Sequence, residues 1–238
     1  MSTKLKIAAA VAAAVLLSAC SSPKHEPMPL VKFTPSMEVT EVWSKGLSSA
    51  EGFLVPAVYD DMVFAAGGKT LTRLNARTGE TEWSVSFNSP ITGGVGSDGY
   101  VTAVGLWDGN LEVVDAEGKV SWEKKLTTEL ASPPVVSHGL VIARTMDTRV
   151  SAFEASSGEL QWTYQRSQPA LTVRLPTRML AHDNFLLVGQ PNGHIVILDI
   201  ASGKPMFEFQ VAQAKGVTEV EQPNGHIVIL DIASGKPM

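Results

Sequence analysis

The chain has 238 residues, a formal net charge of −5, 44% hydrophobic and 18% charged residues, and a single cysteine, Cys20. A mildly acidic chain with scattered Lys and Arg cannot neutralise phosphates in bulk, which excludes a nucleic-acid binder, and one cysteine excludes any disulfide within the chain.

At the amino terminus Lys4 and Lys6 precede an apolar run over residues 7–17. Such a run is too short to span a bilayer and has the form of a signal-peptide core. The following Leu17-Ser18-Ala19-Cys20 resembles a bacterial lipobox, which implies a signal peptide over residues 1–19, cleavage before Cys20 and acylation of its sulfur and new amine. Several acyl chains, at about 0.8 kcal/mol per buried methylene, make a stable anchor. Ser21 rather than Asp follows the cysteine, which by the sorting rules of such lipoproteins implies delivery to the outer membrane. Cleavage removes Lys4 and Lys6 and no acid, taking the charge from −5 to −7. Residues 20–36, with Ser21, Ser22, Pro23, Pro27, Pro29 and Pro35, read as an extended tether.

From residue 37 to 221 the chain is periodic. Trp43, Trp83, Trp122 and Trp162 recur at spacings of 40, 39 and 40, and Phe207 takes the next turn after 45. The last three tryptophans and Phe207 each sit four residues after a glycine: Gly79, Gly118, Gly158 and Gly203. Ahead of those glycines stand Leu74-Asn75-Ala76, Val114-Asp115-Ala116, Phe153-Glu154-Ala155 and Leu198-Asp199-Ile200. A strand, a polar cap, a turn closed by glycine and a second strand carrying the aromatic fit each copy.

The first copy resolves into strands over residues 54–59, 62–66, 70–74 and 80–85, separated by Asp60-Asp61, Gly67-Gly68 and the Gly79 turn. Asp98-Gly99, Asp108-Gly109, His138-Gly139 and Pro191-Asn192-Gly193 serve as turns in later copies. Four-stranded antiparallel units of this length are β-propeller blades, so the fold class is all-β: a partial propeller of about four blades. A blade is apolar on both faces and needs neighbours to cover them, which assigns the repeated aromatics to packing between blades. Trp107 falls outside the register and is expected on a loop or at the edge of the ring.

Catalytic patterns are sparse. His25, His138, His182, His194 and His226 lie on the tether or at turns, without the spacing of metal ligands. Gly93-Gly94-Val95-Gly96 lacks the Lys-Ser/Thr and helix of a phosphate loop and reads as a crowded innermost strand. Asp60-Asp61 belongs to a solvated turn, and Asp108-Gly109-Asn110 lacks the rest of a calcium loop. No cofactor is expected.

The recurring Leu/Val-Asp/Asn-Ala-x-x-Gly-x-x-x-Trp core resembles the PQQ-like family of β-propeller repeats. With the lipobox, the chain to about Glu221 resembles the BamB family of lipoproteins of the outer-membrane β-barrel assembly (BAM) machinery. That resemblance implies an eight-bladed ring, a periplasm-facing lipid-anchored scaffold without enzymatic activity, and the barrel protein BamA with other BAM subunits as partners. Unfolded outer-membrane protein clients are a further partner, adding strands to an exposed blade edge. The same repeat is shared with quinoprotein dehydrogenases, whose adjacent-cysteine disulfide cannot exist here. A periplasmic propeller that binds small ligands is the third reading, and fold alone does not choose among them.

One connector stands out. Gly93 stands ten positions after Trp83, Pro133 eleven after Trp122, and Pro176 fourteen after Trp162. The extra length holds Pro169-Ala170-Leu171-Thr172-Val173-Arg174, which reads either as a docking loop or as a longer connector whose Leu171 and Val173 tuck into the core. The family resemblance implies the former: its Leu-x-Leu-Arg segment, which contacts the periplasmic POTRA domains of BamA, is matched by Leu171, Val173 and Arg174, with Val in place of the second Leu.

Residues 222–238 repeat residues 190–206 letter for letter, at an offset of 32 that is out of step with the blade period. This reads as a duplication, an assembly artefact or a truncated gene. The copy stands where the resemblance implies an acidic Asp-x-Asp contact for BamA, just after Val220-Glu221.

Overall fold

The structure is a computed structural model that describes residues 40–48, 54–166, 177–190 and 193–210. All of its sheets fall in one compact unit, Glu41–Met238. The signal peptide, Cys20, the whole tether, residues 167–176 and the copied tail lie outside the described residues.

Each blade is one antiparallel sheet whose strands pair in chain order. The first comprises β1 (Ala57–Tyr59), β2 (Met62–Gly67), β3 (Thr70–Asn75) and β4 (Thr81–Ser86). The second comprises β5 (Ile91–Ser97), β6 (Thr102–Leu106), β7 (Asn110–Val114) and β8 (Val120–Lys125). The third comprises β9 (Val135–Ser137), β10 (Leu140–Arg144), β11 (Val150–Glu154) and β12 (Leu160–Tyr164). The fourth comprises β13 (Leu180–His182), β14 (Phe185–Gly189), β15 (His194–Asp199) and β16 (Pro205–Gln210). Among the described residues, sixteen strands in four such sheets are the four blades that the tryptophan period predicts.

Turn chemistry sets the register. Asp60, His138 and Asp183 take positive φ values of 47°, 55° and 47° at the hairpins between the first two strands of their blades, where short polar side chains are tolerated. In the third hairpin of three blades the cap works as the sequence suggests: Asn75, Asp115 and Asp199 accept backbone N–H bonds two to four residues ahead through Oδ1, while the third blade carries Glu154 there. A β-bulge follows at the same place in all four blades, at Arg73/Leu74, Val113/Val114, Ala152/Phe153 and Ile197/Leu198. The 39-residue interval has a local cause. Gly118 N–H bonds the carbonyl of Asp115, three residues back, whereas Gly79, Gly158 and Gly203 reach back four, to Asn75, Glu154 and Asp199.

The core lies between blades. One cluster joins Phe64 and Leu71 of the first blade to Val95, Val104 and Val114 of the second. The next joins Ala103, Leu111 and Val113 to Val136, Val141 and Phe153. The last joins Ile142, Val150 and Trp162 to Leu186, Val196 and Leu198. Neighbouring residues of one strand therefore serve opposite interfaces, as with Ala103 and Val104, or Val141 and Ile142. Leu111 and Val113 are fully buried, and burial of such a side chain contributes about 1.5–3 kcal/mol.

Glycine is required where the innermost strand β5 meets the next blade. A Cβ on Gly96 would overlap the carbonyl oxygen of Pro134, and one on Gly93 would lie 2.8 Å from Leu130 Cβ. The Gly93–Gly96 run is thus a packed strand, as its sequence implies. Trp107 sits on the turn after β6, 58% exposed, in keeping with its place outside the period.

Candidate functional site

Of the residues singled out by sequence for partner binding, Leu171, Val173 and Arg174 lie outside the described residues, as does Cys20. The structure describes instead the two chain segments from which residues 167–176 depart and to which they return. The interval from Trp162 to the first strand of the next blade, at Leu180, is longer than those from Trp83 to Ile91 and from Trp122 to Val135.

On the departing side, just after β12, Arg166 forms an ion pair with Glu208 of β16. The same Glu208 Oε1 lies 2.6 Å from Nδ1 of His194 on β15. The Arg166 hydrogen bond, reinforced by His194, holds the Glu208 carboxyl below the usual carboxylate range. Glu208 in turn raises the Arg166 guanidinium. The bridge is exposed and spans the third and fourth blades, so it acts more as a geometric tie than as a source of stability.

On the returning side, Thr177 is held twice. Arg144 Nη1–H donates to its Oγ1 at 2.6 Å, and the Thr177 hydroxyl donates to the Gly189 carbonyl at 3.1 Å. Arg144 ends β10 and Gly189 ends β14, so this relay also bridges the third and fourth blades. Arg144 is 3% exposed. Burial pushes its guanidinium below the ordinary arginine value, and among the described residues no carboxylate forms an ion pair with it.

Sequence reasoning missed Arg144, although a signal was present. The strand registers place it opposite Val150 at the end of the second strand, and the corresponding residues of the other blades are Ala66, Gly105 and Gly189. One large cation at a position otherwise filled by Ala or Gly breaks the repeat.

A cleft of about 330 Å³ opens between the second and third blades, with Lys124, Lys125 and Arg149 on its walls beside Leu126, Phe153 and Thr163. Among the described residues no group of three or more His, Cys, Asp or Glu is placed to hold a metal ion.

Comparison with known proteins settles the family. A profile of the family described as outer membrane protein assembly factor BamB matches residues 67–234. The chain belongs to the BamB family. It is 38% identical to the outer membrane protein assembly factor BamB of Burkholderia pseudomallei over 219 residues, covering 90% of this chain and 58% of that protein. With the Bordetella pertussis BamB it shares 32% identity, over 86% of this chain and 55% of that protein. The crystal structure of BamB from Moraxella catarrhalis superposes with a TM-score of 0.62 at 28% identity, covering 70% of this chain and 51% of that one. The chain thus spans a little over half the length of these curated BamB relatives.

Proposed function

We propose that this protein is a non-enzymatic scaffold of the outer-membrane β-barrel assembly machinery, anchored through acylated Cys20 and facing the periplasm, which binds BamA through Leu171, Val173 and Arg174. The observation that carries this reading is the family match over residues 67–234. Residues 1–19 serve as the signal peptide and 20–36 as the tether. The residues up to 221 form the propeller part, and 222–238 are a copy of 190–206 added to it.

Physical support comes from the ends of the 167–176 segment. Arg166, just after the third blade, pairs with Glu208 of the fourth, and Thr177 is bonded to Arg144 of the third blade and Gly189 of the fourth, so the residues on either side of 167–176 are braced across that junction. An apolar pair next to an arginine on such a base has the make-up of an interface centre, where a few side chains supply most of the binding energy.

The test is co-purification with BamA from detergent-solubilised membranes. Arg174→Ala, or Leu171→Asp combined with Val173→Asp, should abolish co-purification while leaving the β-sheet circular dichroism unchanged. Undiminished recovery of BamA with both variants would sink the assignment. The dehydrogenase alternative is checked separately by adding pyrroloquinoline quinone, whose absorbance should stay that of the free quinone.

A further inference from the structure

The cation that breaks the repeat lies in a setting short of acceptors and rich in idle hydrogen-bonding groups. Arg144 Nε is buried without a partner, and so are the Ser132 Oγ and the Gln190 Oε1. Their backbones are neighbours where β10 and β14 end, at the junction between the third and fourth blades. Ser132 follows Ala131, whose N–H bonds the Arg144 carbonyl at 2.8 Å. Gln190 follows Gly189, whose carbonyl takes the Thr177 hydroxyl that Arg144 itself contacts. Ser132 is 4% and Gln190 7% exposed.

Inside a protein an unpaired cation is costly, and the usual remedy is a carboxylate in contact with it. Among the described residues none is supplied. Of the described acids, those in ion pairs are engaged with Arg73, Arg77, Arg149, Arg166, His182 and His194. Residues 167–176, Ser-Gln-Pro-Ala-Leu-Thr-Val-Arg-Leu-Pro, contain no acid and add another arginine. Three of four blades meet the same structural need with Ala or Gly, so blade packing does not require the guanidinium. A local rule broken at a cost in stability is what a binding site looks like before its ligand arrives.

We propose that Arg144, Ser132 and Gln190 form a carboxylate-binding site at the junction of the third and fourth blades. The free edge of the guanidinium offers its Nε–H, and the Ser132 hydroxyl rotates to donate. The Gln190 side-chain amide, turned about its last torsion, presents N–H where its unpartnered oxygen now lies. Two carboxylate oxygens have lone pairs for all three donors, and the planar fork suits a carboxylate better than a spherical anion. The carboxylate comes either from an acidic side chain of a docked polypeptide or from a small free acid. This site does not depend on the identity of the proposed membrane partner.

The experiment is thermal unfolding of the full-length chain in detergent, with acetate replacing chloride at constant ionic strength. A second arm uses the capped peptide N-acetyl-Ala-Asp-Ala-amide. Acetate at tenfold its dissociation constant or more should raise the melting temperature of the wild type by about 2 °C or more. Arg144→Ala, which installs the residue of the first blade, should fold, should melt in chloride no lower than the wild type, and should lose the acetate response. Arg144→Lys should keep less than half of it. A peptide response at concentrations tenfold below acetate assigns the site to a docked side chain, and a response to acetate alone assigns it to a free acid. Equal acetate responses in wild type and Arg144→Ala would overturn the site. So would an Arg144→Ala variant that melts well below the wild type in chloride while neither protein responds to acetate, because Arg144 would then be only a tie to Thr177.

Discussion

The indole of Trp122 lies over Gly158, in the turn of the following blade, so closely that a Cβ on that glycine would fall 2.7 Å from Cδ2 of the ring. Its Nε1–H meanwhile donates to the Ala155 carbonyl at 2.8 Å. The relationship is repeated by Trp43 over Gly79 with Ala76, Trp83 over Gly118 with Ala116, and Trp162 over Gly203 with Ile200. Each glycine thus has two duties, a positive φ for its own turn and a bare face for the preceding blade's ring. Gly158→Ala should lose stability on both counts, about 2–4 kcal/mol in urea titrations. Trp122→Phe keeps most of the apolar area but leaves the Ala155 carbonyl without its donor, at a cost of about 1–3 kcal/mol. A Gly158→Ala midpoint within error of wild type would mean the ring does not rest there in solution.

Close approach alone, without unusual backbone, is separable at Gly96. Its φ is not positive, yet a side chain there would run into the Pro134 carbonyl, a backbone atom that cannot move without shifting β9. Gly96→Ala should therefore destabilise by about 3 kcal/mol or more. Gly46→Ala, where nothing lies within 4 Å of the added methyl, should stay within about 0.5 kcal/mol of wild type. Similar losses for the two substitutions would show that crowding at the innermost strand is not what Gly96 answers to.

The blade count was legible in the chain because a 40-residue unit must restate its own turn chemistry, and Asn75, Asp115 and Asp199 do so in three of the four blades. The direction of packing was not. Trp83 is four residues from Gly79 along the chain, but its ring rests on Gly118, because the face a strand offers is decided by which neighbour is there to cover it. Arg144 stayed hidden for a related reason. At the end of a strand an arginine reads as ordinary surface, and only the adjoining blade makes it buried. Aligning it with Ala66, Gly105 and Gly189 would have exposed the exception. Leu171, Val173 and Arg174 rest on resemblance and loop length, since they fall outside the described residues.

The proposed anchor is Cys20, the only cysteine in the sequence. Cys20→Ala should move the protein from the membrane fraction to the soluble periplasmic fraction, because the few apolar side chains of residues 20–36, interspersed with Pro, Lys and Ser, cannot replace several acyl chains. The blades should be unaffected, giving the same melting temperature for the variant and for wild type solubilised in detergent. Retention of the variant in membranes after a salt wash would show that contacts other than lipid hold it there.

Glu112 gives the second blade a dependence on pH. It sits on β7 opposite Glu123 of β8, and it is 8% exposed. Burial first, then the charge and hydrogen bond of Glu123 and the charge of Asp108, push its carboxyl up to about 7. The folded state therefore keeps a proton that the unfolded chain gives up near pH 4.5, the ordinary value of a glutamate. Below that pH both states are protonated and Glu112 costs nothing. Between about 4.5 and 7 the folded state binds more protons than the unfolded one, so stability falls as pH rises, and above 7 the loss is complete. The full effect is of the order of 1–3 kcal/mol, given the residual solvent contact. Glu112→Gln should remove this slope and make the protein more stable than wild type at pH 8, with little difference at pH 4.5. Urea midpoints at those two pH values decide the matter: a wild-type advantage at pH 8 would mean that Glu112 is ionised in the folded state and favourably paired.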